Sequence, residues 1–125
     1  MRTICRTALI AGVSLWLSGT AVLADEEMER ILDMATPHMH HSCESVIDVY
    51  GEDSETIIEI VRLMAMVSLF NRQIDVVAKI PREEDRSGLK DKFVEELKEA
   101  CEDDPGRLLA GAVDDAVKET FEAFD

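Results

Sequence analysis

The sequence predicts an all-α protein, a small bundle of about four helices closed by one disulfide. Three observations carry that expectation. Apolar residues recur at three- and four-residue spacing along much of the chain, and no strand signal stands beside them. Helix-start residues precede the periodic segments, at Ser42, at Asp53-Ser54 and at Asp104-Pro105. Two cysteines, Cys43 and Cys101, remain once the opening residues are set aside as a leader.

The leader is read first because it changes the charge. Met1-Arg2-Thr3-Ile4-Cys5-Arg6 is a basic start, residues 8–17 are apolar, and residues 18–24 are mostly small. Val22 and Ala24 suit the small-residue subsites of a signal peptidase, with cleavage before Asp25. A lipoprotein signal would place its cysteine at the cleavage site, and Cys5 lies far upstream. Residues 1–24 are therefore expected to be a signal peptide and the mature chain to be periplasmic. Arg2 and Arg6 leave with it and no acid does, so 13 basic side chains become 11 against 27 acidic ones, a formal charge of −16. A chain that acidic is no partner for nucleic acid or for an anionic membrane face. Trp16 leaves too, and Tyr50 with four phenylalanines makes no base-stacking platform.

Residues 25–41 read as a charged, flexible N-terminal segment, and residues 42–125 as the helical domain. Within residues 25–35, Met28, Ile31, Leu32 and Ala35 share one side, and Thr36-Pro37 interrupts the pattern, because a residue before proline resists the helical region. Ser42 caps a short helix carrying Cys43, Val46, Ile47 and Tyr50, and Gly51 ends it. Asp53 or Ser54 caps the longest element. From Ile57 to Phe70 its apolar residues cover more than one stripe, which requires either burial among neighbouring helices or a second subunit. It is no membrane span, since only nine residues separate Arg62 from Arg72.

Residues 71–81 can extend that helix or form a connector, and Pro81 stops either one. Residues 82–88 read as a charged loop. Leu89, Phe93, Leu97 and Cys101 then recur every four residues on a clear amphipathic helix. The last helix is expected to start at Asp104-Pro105, with Leu108, Leu109, Ala112, Val113, Ala116, Val117, Thr120 and Phe121 recurring as adjacent pairs every four residues. Gly111 and Ala112 would let another helix come close. No repeat, low-complexity tract or interdomain linker is visible.

An even pair of cysteines in an exported chain is most simply a disulfide. The alternative, two thiolates in a redox or metal site, fits poorly with a separation of 58 positions. The run from Cys101 through Asp104-Pro105-Gly106-Arg107 to Asp114-Asp115-Ala116 resembles the YmgD family of small exported bacterial proteins, which belongs with the acid-stress chaperones of the HdeA type. Ser42-Cys43-Glu44, the helix at residues 57–66 and Asn71-Arg72-Gln73-Ile74 add to the resemblance, which spans residues 42–121. It implies a periplasmic helical protein held by a Cys43–Cys101 bridge. For the HdeA branch it also implies a homodimer at neutral pH that loosens in acid and binds unfolding clients. It transfers no catalytic residue.

Acid chemistry can also be argued from the residues themselves. In strong acid the mature chain would swing from −16 to about +15 as its carboxylates protonate. A cationic chain braced by its disulfide can expose apolar surface and keep a bound client soluble. The expected client or dimer surface is Ile57, Ile60, Val61, Met64, Val67, Leu69 and Phe70, while methionines at such spacing more often fill a core. The expected partners are unfolding periplasmic proteins or, as the alternative, one specific folded protein.

His38, His40 and His41, with Met39 and Glu44 near them, are the only candidates for copper, nickel or zinc. A bridged Cys43 is no ligand, and adjacent loop histidines seldom converge, so no metal or other cofactor is expected and the default is a polar lead-in to the helix. The same three imidazoles are a possible sensor near pH 6.5. Asp114 and Asp115 are adjacent on a helix and point about 100° apart, so they form no acid–base pair. With no phosphate loop and no triad, no enzyme activity is expected.

Overall fold

The structure is a computed structural model and describes residues 26–124. The expected signal peptide, residues 1–24, lies outside the described residues. Every regular element among the described residues is helical. They are α1 (residues 26–35), a 3-10 turn (Thr36–His38), α2 (Cys43–Tyr50), α3 (Ser54–Asn71), α4 (Val76–Lys79), α5 (Glu83–Asp103) and α6 (Leu109–Ala123). Six α-helices replace the four expected. None is long and apolar enough to cross a membrane.

α6 is the axis of the bundle and packs mainly on α5 and α3. Ala112 and Val113 have no exposed surface, and Ala116, Val117 and Phe121 continue the same buried stripe. Against it lie Ile60 and Met64 of α3, Leu89 of α5 and Cys43 and Val46 of α2, with Phe93, Leu97 and Cys101 partly buried around them. The four-residue spacing on α5 thus serves the packing that the sequence implied.

The breadth of apolar residues on α3 has a local cause. One face meets α6, and Leu63 on another face forms a second cluster with Ile31 and Ala35 of α1, flanked by Met28, Met39, Met66 and Val67. The segment expected to be a flexible lead is therefore a docked helix. Its charges are exposed, while Ile31 and Ala35 fall one turn apart on the face turned to α3.

Local signals explain most boundaries. The Ser42 hydroxyl accepts the Ser45 N–H at 2.9 Å, and the Ser45 hydroxyl accepts the Ser42 N–H at 2.8 Å, a reciprocal cap on α2. Asp53, not Ser54, caps α3 by accepting the Thr56 N–H at 3.1 Å. α3 ends where Gln73 turns left-handed at φ 56°. Asp75 then caps the short α4, and Arg86 donates to the carbonyls of Ile80 and Pro81, both at 3.0 Å. Gly51 ends α2 with φ −53°, so its need for glycine is steric: a Cβ would sit 2.6 Å from the Ile47 carbonyl oxygen.

Two boundary expectations are corrected. Residues 83–88 belong to α5, because Glu83, Glu84 and Asp85 place three acids in its first turn, where the helix dipole favours them. The last helix starts at Leu109, four residues after Pro105. Residues 105–107 form a turn, with Arg107 N–H donating to the Asp104 carbonyl at 3.1 Å, and two carbonyls of the segment serve α2: Cys43 N–H donates to that of Arg107 and Glu44 N–H to that of Pro105, each at 3.0 Å. An antiparallel bridge between Ser42 and Leu108 completes the join.

Candidate functional site

The polar groups that bind α3 to α6 form the most developed site in the molecule. Ser68, one turn before the end of α3, is 5% exposed and donates its hydroxyl to Asp114 Oδ1 at 2.6 Å. Arg72, at the C-cap of α3, donates Nε to the same oxygen and Nη2 to Oδ2, each at 2.9 Å. This is a forked guanidinium–carboxylate pair with a hydroxyl added beneath it. The helix geometry makes it possible, since Ser68 and Arg72 lie one turn apart on one face of α3. Hydrogen bonds from Arg72, and then from Ser68, hold the Asp114 carboxyl below its ordinary pKa despite partial burial. Next to it, Asp115 points elsewhere and meets Arg107 Nη2 at 2.6 Å, so the two acids diverge as their spacing required.

A covalent tie joins α2 to α5. Cys43, the first residue of α2, is bonded to Cys101 near the end of α5, with Cα atoms 5.6 Å apart. An open groove of about 460 Å³ passes over the bridge, lined by Ile47 and Pro105 and by the charged Glu44, Asp48, Lys98 and Glu102. The disulfide fixes α2 to α5, and the carboxylate clasp fixes α3 to α6. Of the two, only the clasp responds to protons.

No family model, curated protein or solved structure matches the chain.

The seven residues expected to form a client or dimer surface do not share one environment. Ile60 and Met64 are 2% and 3% exposed and belong to the core, out of reach of a second subunit while the bundle is closed. Ile57, Val61 and Leu69 are partly buried against that core, and Val67 lies against α1. Phe70 alone is open, at 57%. Apolar side chains accessible on the closed bundle include Ile47, Val49, Ile58 and Val77, each about 60% exposed or more with Val77 at 59%.

The three histidines come together as a cluster of rings. His40 and His41 have centroids 4.2 Å apart, His38 lies 6.3 Å from His41, and Tyr50 stands edge-on to His38 and His41. Among the described residues no group of three or more His, Cys, Asp or Glu side chains could hold a metal ion. The rings of His38 and His40 both pack against that of His41.

Sequence reasoning missed the clasp. Its partners stand 42 and 46 positions apart, and nothing in the pattern pairs Asp114 with Arg72 instead of with any other cation. The available signal was Ser68, a small polar residue inside an otherwise apolar run.

Proposed function

We propose that this chain is a periplasmic acid-stress chaperone-like protein, which opens in strong acid and binds unfolding proteins through apolar helix surface. One observation carries the reading: the polar link between α3 and α6 rests on a carboxylate that loses its charge in acid, while the disulfide that ties α2 to α5 does not. Protonating Asp114 removes the acceptor for Arg72 and leaves the buried Ser68 hydroxyl with a weaker partner. Separation of α3 from α6 then exposes Ile60 and Met64 together with Ile57, Val61 and Leu69, beside the already open Phe70. The swing toward a strongly cationic chain keeps the opened form apart from its own copies and soluble with a client attached. The resemblance to the YmgD and HdeA-type proteins supports the same reading.

The test is aggregation of an acid-labile client at pH 2–3, followed by light scattering with and without the protein. Lower scattering at stoichiometric protein supports the proposal, and equal scattering overturns it. A second reading draws on the apolar side chains already open on the closed bundle, Ile47, Val49 and Ile58 among them. Under it the chain is a non-enzymatic module that docks one folded protein at neutral pH, and single substitutions at those positions abolish binding at pH 7.

A further inference from the structure

The sequence places its three histidines within four residues, and the structure sets them where α1 joins the bundle. His41 is 6% exposed. Its ring is covered by His40 at 4.2 Å, by His38 at 6.3 Å and by the edge of Tyr50 at 5.8 Å. Its Nδ1 lies 3.1 Å from the Ser45 hydroxyl, and its carbonyl accepts the Leu109 N–H at 2.9 Å. The residue is held by α2 through its ring and by the start of α6 through its backbone. Met39, two residues earlier, touches both hydrophobic clusters, so residues 38–41 connect the α1–α3 contact to the main core.

We propose that this ring cluster is a mild-acid latch: charging the imidazoles frees residues 26–41 from α3 and uncovers Leu63, Met66 and Val67, while the rest of the bundle stays closed. A buried imidazole becomes costly when it takes a proton, and more so with a second one 4.2 Å away. Burial first, and then the charges of His40 and His38, lower the His41 pKa below its ordinary 6.5. A released segment therefore takes up protons before the docked one does. Docking is strongest above pH 6.5 and weakens as pH falls through the lower folded value.

The other groups around the latch do not offset this charge. From α2, the ring meets the neutral Ser45 and Tyr50, and the charged Glu44 and Asp48 are exposed. From the segment before α6, Arg107 is engaged by Asp115 at 2.6 Å. On α1, Arg30 and Asp33 are exposed, and on α3, Glu59 and Arg62 pair with each other at 3.2 Å. The clasp at Asp114 responds only in far stronger acid, so the two devices act in separate pH ranges. The latch does not depend on client binding.

The experiment is amide hydrogen exchange on the intact protein at pH 7.5 and 5.0, corrected for the intrinsic pH dependence of exchange. Protection of α1 should fall about tenfold at pH 5.0 while that of α6 is unchanged. In His41→Gln, which stays neutral at both pH values, the change in α1 should drop below about twofold. Histidine ring resonances of the unmodified protein give a readout that needs no variant: His41 should titrate below 6.5. Unchanged α1 protection, equal loss in α6, a full pH response in His41→Gln, or His41 titrating at or above the ordinary value would each overturn the latch.

Discussion

Replacing Asp114 by Asn tests the clasp with little change in shape. The amide keeps one acceptor oxygen, but its NH2 faces an Arg72 N–H donor to donor, and the charge that strengthened three hydrogen bonds is gone. The Arg72 and Asp114 side chains are 32% and 43% exposed, so solvent screens the ion pair and leaves it about 0.5 kcal/mol. The hydrogen bond from buried Ser68 to a charged acceptor contributes more, about 1.5 kcal/mol. The expected loss is therefore about 2 kcal/mol at pH 7, or roughly 8–10 °C in Tm for a domain of this size. The pH dependence is more diagnostic. Asp114 has a folded pKa below its ordinary 3.8, so the unfolded chain binds the proton first as pH falls. The contribution is whole above that value and is lost as pH falls through the folded one. Thermal unfolding by circular dichroism, with the disulfide intact, should show a wide gap between wild type and variant at pH 7 that narrows as pH falls below 3.8. A gap under about 2 °C at pH 7, or one that persists undiminished in acid, would refute this account of the clasp.

Three other outcomes follow from the packing. Ile60→Ala should cost about 2–5 kcal/mol, whereas Ile58→Ala, on the same helix but 65% exposed, should stay within about 0.5 kcal/mol; urea titration of both variants measures the contrast. Gly111→Ala should stabilise the protein by about 0.5–1 kcal/mol, read as a higher Tm, because a Cβ there meets only Arg107 Nη2 at 3.6 Å. Reducing Cys43–Cys101, which closes a loop of 58 residues, should lower unfolding free energy by about 4 kcal/mol, measured as denaturant curves with and without reductant.

Much of this architecture was legible because its causes are local. The Ser42 cap, the break at Thr36-Pro37, the four-residue spacing of Leu89, Phe93 and Leu97 and the buried stripe of α6 each depend on residues within one or two turns. Two of the errors come from backbone or side-chain use by a distant partner, whereas the start of α5 at Glu83 rests on a local signal, the three acids of its first turn. Asp104-Pro105 carries a good helix-start signal, yet the carbonyls of Pro105 and Arg107 are taken by α2. The charged residues 26–35 look soluble alone, yet Ile31 and Ala35 find Leu63. Gly111 has room for a side chain, and the tight helix approach lies at Ala112 beside it. Within the candidate site, the bridge followed from the number and separation of the cysteines, whereas the clasp and the Tyr50 contact to the histidines required tertiary structure.

The main-chain join between the start of α2 and the loop before α6 bears on what the bridge adds. Amides of Cys43 and Glu44 are anchored to carbonyls that follow Cys101 by only four and six positions. The covalent bond thus reinforces a join between α2 and the end of α5 that the main chain also makes with hydrogen bonds of its own.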